Sequence, residues 1–123
     1  MSSHLLHWPG LIDCHVHFRE PGFPDKATMA TEAAAAKAGG VLTVCEMPNT
    51  NPPTNSIEAL QDKVDRADQV PGCDLRFFFN VTEYDHLKNL EELWTNPEHA
   101  ELKKRCPGLK LFLENSTGNL RTD

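Results

Sequence analysis

Gly10-Leu-Ile-Asp-Cys-His-Val-His-Phe-Arg-Glu-Pro-Gly22 is an apolar run that carries two histidines, His15 and His17, and ends in a charged turn. Read as a strand over Leu11 to Phe18, its side chains alternate between two faces. Asp13, His15, His17 and Arg19 then share a polar face, and Ile12, Cys14, Val16 and Phe18 share an apolar one. Imidazole is the commonest neutral nitrogen ligand for zinc and similar ions, and one strand can offer two of them to the same metal. A bare His-x-His pair also describes ordinary surface or hydrogen-bonded histidines, so the flanking residues carry much of the weight.

Working outward, strands alternate with helices. Thr28 to Ala38 is alanine-rich and stops at Gly39-Gly40, a helix with a glycine end. Val41 to Met47 is nearly continuous in apolar residues and reads as a strand buried on both sides. Asn49 to Asn55, crowded with proline and asparagine, is a loop. Ile57, Leu60, Val64 and Ala67 recur at helical spacing over Ser56 to Ala67, which leaves Asp62, Lys63, Asp65 and Arg66 for water. Asn55 or Ser56 caps this helix. Leu75 to Val81 is a third strand, its phenylalanines Phe77 to Phe79 belonging to a core. Helical segments over Glu83 to Trp94 and Pro97 to Arg105 are separated at Asn96-Pro97. Leu109 to Leu113 is a fourth strand, followed by a polar loop from Glu114 to Leu120. Four strands alternating with helices, without hairpin signals, predict an α/β fold of parallel βαβ units.

Composition sets bounds. A net charge of −6 and a pI near 5.4 argue against nucleic acid or an anionic membrane as partner. No long apolar run or cleavable leader is present, so a cytoplasmic location is expected. Cys14, Cys45, Cys73 and Cys106 form no Cys-x-x-Cys unit and read as free thiols of a reducing compartment. His4 and His7 lie in a tail, and His86 and His99 fall on predicted helices as surface residues.

Two further residues stand out. Lys110 lies within Leu109-Lys-Leu-Phe-Leu113, a run that would normally exclude an ammonium ion. Burial increases the neutral fraction of a lysine, and a neutral amine can add carbon dioxide to give a carbamate. The alternative is an edge-strand lysine that reaches out to solvent. Arg19, just past the histidine strand, suits a ligand with a free carboxylate, since guanidinium binds carboxylate through two parallel hydrogen bonds. Its plainer reading is a surface ion pair with Glu20 or Asp25.

Gly10 to Gly22, Ala38-Gly-Gly-Val-Leu-Thr-Val-Cys-Glu-Met-Pro-Asn-Thr-Asn-Pro-Pro53 and Gly108-Leu-Lys-Leu-Phe-Leu-Glu-Asn115 onward together resemble the cyclic amidohydrolases, and among them the dihydroorotases. Arg19 in His-Val-His-Phe-Arg-Glu-Pro-Gly and the Met47-Pro-Asn-Thr50 stretch favour dihydroorotase over allantoinase or dihydropyrimidinase. The resemblance implies a TIM-type (β/α)8 barrel, with its site at the C-terminal ends of the strands. It implies two zinc ions (Zn2+) bridged by a carboxylated Lys110, His15 and His17 as metal ligands, and Arg19 and Asn49 as holders of the substrate carboxylate. The loop after the lysine closes over substrate in the family, which makes Ser116 and Thr117 candidate contacts, although its wording here departs from the family's. The implied activity is the reversible hydrolysis of L-dihydroorotate to N-carbamoyl-L-aspartate in pyrimidine biosynthesis.

Length limits this expectation, because 123 residues are about half of the roughly 250 that such a barrel needs. The expected organisation is one partial barrel domain over 1–123, about four βα units, with little chain ahead of the first strand to contribute to a second domain. The later metal histidines and the acid/base aspartate of the family have no counterpart here. The chain alone is therefore expected to be inactive, and to self-associate or to require a missing C-terminal half. A noncatalytic half-barrel assembly module and another cyclic amidase are the alternatives.

Overall fold

The computed structural model describes residues 5–117 and 120–122. In chain order these form β1 Leu11–Val16, α1 Met29–Ala38, β2 Val41–Glu46, α2 Ile57–Ala67, β3 Asp74–Phe77, β4 Phe79–Asn80, α3 Tyr84–Thr95, a 3₁₀ turn Pro97–His99, α4 Ala100–Lys104 and β5 Leu109–Lys110. The strands are ordered β1-β2-β3, with β4 beside β5, and every pairing is parallel. The chain is thus an α/β fold of parallel strands with helical crossovers. The placements expected for His4 and Gly118 lie outside the described residues.

The strand expected over Leu75 to Val81 is one run interrupted at Phe78. The Phe78 N–H donates to the Glu46 carbonyl on β2 at 3.0 Å, and the Phe79 N–H donates to the Gly108 carbonyl at 3.0 Å. The break hands the strand from β2 to β5. The fourth strand is shorter than its apolar run suggested: only Leu109–Lys110 pairs, and Phe112 makes a single bridge to Arg121. Likewise β1 stops at Val16, whose carbonyl accepts the Met47 N–H at 2.9 Å, before the chain turns through Arg19 at a φ of 65°.

Local chemistry fixes the helix ends. Thr28 caps α1 by accepting the Thr31 N–H, and Gly39 and Gly40 end it. The Ser56 hydroxyl caps α2 through the Ala59 N–H. Pro97 opens the turn after Asn96, whose side chain accepts the Glu98 N–H. Met29, Ala33, Leu60, Val64, Ala67, Leu93 and Leu102 bring the helices onto Val44, Leu75, Phe77 and Phe79 of the strands, which form the core. The first half of β2 is more exposed than expected, and burial begins at Val44.

Lys63 corrects the sequence reading. It does not face water: it is 1% exposed, its Nζ lies 3.1 Å from Glu46 Oε2, and it sits 5.4 Å above the Phe77 ring. The reason is helical spacing, because Leu60, Lys63, Val64 and Ala67 follow an i, i+3, i+4, i+7 pattern that places all four on the face turned to the sheet. His86 also departs from expectation. Near the first turn of α3, its Nε2 lies 3.1 Å from Asn55 Nδ2 and its Nδ1 lies 3.3 Å from the Thr82 nitrogen, so the ring links two loops.

Candidate active site

The site lies in the loops that follow β1, β2 and β5. The strict alternation expected along β1 does not hold. Asp13 pairs with Val44 and Val16 with Glu46, so three steps on β1 match two on β2. Val44 and Glu46 share a side of β2, and Asp13 is therefore on the side of Val16, bordering a cavity with Glu32, Ala35 and Ala36 of α1. His17 borders the same cavity, and its ring lies beside that of His15, with centroids 5.5 Å apart and planes inclined at 53°.

Asn49 holds His17. Its side chain is buried in the Met47-Pro-Asn-Thr50 loop, and its Oδ1 lies 2.8 Å from His17 Nδ1. With Nδ1–H donating to that oxygen, Nε2 keeps its lone pair and is free to coordinate. The Asn49 amide nitrogen donates to Ser116 Oγ at 3.4 Å, which ties the loop after β5 to the same cluster. Thr117 is exposed and makes no such bond among the described residues.

The cluster is electropositive. His17 is held below its ordinary value of 6.5, first by burial and then by the charges of Arg19, His15 and Lys110, against the raising effect of Asn49. Lys110, half-buried, is thereby close enough to His17 to act on it, and its Nζ lies 5.4 Å above the Phe112 ring. Arg19 makes no ion pair with Glu20 or Asp25: Glu20 instead accepts from Arg66 at 3.3 Å and from the Met29 N–H at 2.8 Å. Its left-handed backbone, at a φ of 65°, costs a non-glycine residue of order 1–2 kcal/mol. The Arg19 guanidinium makes no ion pair among the described residues.

The two loops are packed as one platform. Asn51 donates its N–H to the Pro21 carbonyl at 3.1 Å, and a Cβ on Gly22, whose φ is 103°, would meet Asn51 at 2.5 Å. Only glycine fits both the conformation and the space.

No group of three or more His, Cys, Asp or Glu side chains converges as a metal shell among the described residues. His15 and His17 supply two imidazoles of the kind zinc accepts, and the Asn49 contact selects the tautomer a ligand needs, so the residues present fit part of a metal shell.

A model of the Dihydro-orotase-like family matches residues 4–82. This chain belongs to that family. The multifunctional protein CAD of Squalus acanthias is 37% identical over 124 residues, which cover 100% of this chain and 5% of that protein. The dihydroorotases of Halobacterium salinarum and Enterococcus faecalis are 52% and 54% identical over 48% and 46% of this chain, stretches that span 14% and 13% of those enzymes. The chain is thus matched to a small part of each of these relatives. Among solved structures, L-hydantoinase (dihydropyrimidinase) from Arthrobacter aurescens shares the fold, with a TM-score of 0.75 and 23% identity over 92% of this chain and 23% of that one.

Within this dihydroorotase-like chain, His15, His17, Asn49, Ser116, Lys110 and Arg19 gather at one end of the strands, and Thr117 is the sequence candidate left outside the contacts. Sequence reasoning missed the support beneath them. Glu46, at the end of β2, accepts the Phe18 N–H on Oε1 at 3.2 Å and Lys63 on Oε2 at 3.1 Å, and is 1% exposed. Burial pushes the Glu46 carboxyl up and the Lys63 amine down, each toward its neutral form, while their attraction opposes both shifts. An acid inside an apolar strand, with a lysine on the apolar face of the next helix, was the available signal.

Proposed function

We propose that the chain carries part of the active site of a metal-dependent cyclic amidohydrolase that interconverts L-dihydroorotate and N-carbamoyl-L-aspartate. Its parallel strands then form about four βα units of a (β/α)8 barrel. The observation that carries the reading is the His17–Asn49 contact close to Arg19, which makes no ion pair among the described residues, since it joins a selected imidazole tautomer to a guanidinium in one cluster.

His15 and His17 would hold zinc through their free imidazole nitrogens, together with Lys110 once carboxylated. In that modification the neutral Lys110 amine forms a C–N bond to carbon dioxide and releases a proton, converting a cation into an oxygen ligand. When bound, two zinc ions supply Lewis-acid activation of the ring amide carbonyl and of water. Arg19 binds the substrate carboxylate through two parallel hydrogen bonds and so fixes the ring over the histidines. Asn49 keeps His17 oriented and stands next to that carboxylate, while Ser116 and, as the loop closes, Thr117 add hydroxyl contacts.

Turnover requires ligands and an acid/base group beyond those here, supplied by the remainder of a longer polypeptide or by another chain, in a cytoplasmic setting. No helix among the described residues is long and apolar enough to cross a membrane.

The test is zinc uptake and dihydroorotate hydrolysis by the 123-residue chain, with and without bicarbonate, beside His15→Ala and His17→Ala. The expected result is bicarbonate-enhanced zinc uptake that either substitution lowers, without turnover. Zinc uptake indifferent to both histidines overturns the reading.

A further inference from the structure

The buried Glu46–Lys63 pair takes no part in the chemistry outlined above, yet it is placed directly behind it. One oxygen of Glu46 accepts the Phe18 N–H at 3.2 Å, and the other oxygen accepts Lys63 Nζ at 3.1 Å. Phe18 is the residue between the imidazole that Asn49 orients and the arginine in the left-handed turn. An amide group held on a buried carboxylate fixes the backbone beside it, because a buried N–H deprived of its acceptor is costly. Lys63 makes the buried carboxylate tolerable: it comes from α2, reaches under the end of β2, and rests over Phe77 at 5.4 Å.

We infer that Glu46, neutralised by Lys63, is a positioning residue: it clamps the His17–Arg19 turn and thereby sets where the imidazole and the guanidinium point. The significance of those two groups rests on the function proposed above; the clamp itself is a claim about geometry. It gives α2 a role in the site, since its lysine holds the carboxylate that holds the turn. A pair that merely stabilised the fold would leave the turn unchanged in any variant that still folds.

The experiment compares E46L/K63M with E46Q/K63M by NMR in the full 123-residue chain. The first replaces the pair with apolar groups of similar size, a change buried pairs often tolerate, but leaves the Phe18 amide without its acceptor. The second keeps an oxygen for it. The expected result in E46L/K63M is loss of the contact between the His17 ring and the Asn49 side-chain amide, with protection of the Phe18 amide from exchange reduced about tenfold. E46Q/K63M restores both, even if its melting temperature is the lower of the two. Should E46L/K63M fail to fold, E46D carries the test, because its carboxylate, shorter by one methylene, cannot span Phe18 and Lys63 together. A folded E46L/K63M or E46D in which the His17–Asn49 contact and the amide protection match the wild type overturns the inference. Zinc uptake independent of His15 and His17, with these NMR signatures intact, overturns the proposed function and leaves the clamp standing.

Discussion

Replacing Lys63 with methionine keeps the length and apolar stem of the side chain and removes only the charged end. Lys63 and Glu46 are each 1% exposed with a 3.1 Å separation, so the substitution leaves a buried carboxylate with no counter-charge. Breaking such a pair from one side costs about 3–5 kcal/mol, against about 5–15 kcal/mol for the whole stability of a typical domain. Part of the lost contact with Phe77 is recovered by the methionine sulfur against the ring. The loss depends on pH in a definite direction. Burial already raises Glu46 above its ordinary 4.5, and without Lys63 only the backbone N–H groups of Phe18 and Arg19 oppose that rise. A folded value above the unfolded one gives stability that is fully present below the unfolded value and is lost as pH climbs through the folded one. K63M is therefore expected to be near the wild type at pH 4.5 and to fall behind steadily toward pH 8. Urea unfolding followed by circular dichroism, at four pH values across that range, measures the difference. A deficit under about 1 kcal/mol that does not change with pH would refute the reasoning, because ordinary surface substitutions reach nearly that size.

Arg19→Gly separates binding from strain: glycine adopts the left-handed turn freely, so the chain is expected to hold its melting temperature or gain up to about 1 kcal/mol, while affinity for a carboxylate ligand falls. A calorimetric titration with dihydroorotate beside a thermal melt reads both, and a variant that loses stability without losing affinity contradicts the role assigned to Arg19. Burial pushes the Cys106 thiol from 9.0 to about 11, so iodoacetamide at pH 8 should label exposed Cys14 and spare Cys106 until the chain unfolds. Because that folded value is raised, its contribution is complete below pH 9 and is lost between pH 9 and 11, roughly 3 kcal/mol in all, which alkaline unfolding curves would register.

Much of this molecule is legible in its sequence where one local rule governs. Thr28, Gly39 and Ser56 mark helix ends because caps depend on a few neighbouring atoms, and the apolar period of α2 announces its buried side. His15 and His17 were legible as a pair for the same reason. Lys63 was misplaced because charge was weighed above position, although Leu60 and Val64 already placed it on the inner face. The burial of that charge depends on Glu46, a residue 17 positions earlier, and no local rule joins the two. The interruption at Phe78 and the shortness of β5 have the same origin, since both follow from which strand lies alongside and not from the residues themselves. The role of Asn49 was half legible: its place in the loop suggested a polar contact, but its hold on His17 exists only once β1 and β2 lie side by side.

The extra residue in β1 makes the strand two segments out of phase. Upstream of it, Asp13 follows one phase of in and out; downstream, Val16 and His17 follow the other. Substitutions among Leu11, Ile12 and Asp13 can therefore rebalance packing without re-aiming the imidazoles, whose direction is counted from Val16 and Phe18. The offset also makes length matter more than identity at this point. Removing Cys14 would restore a regular strand with His15 and His17 still two apart, so the irregularity bears on Asp13, which unbroken alternation would separate from Val16 and which here lies with it.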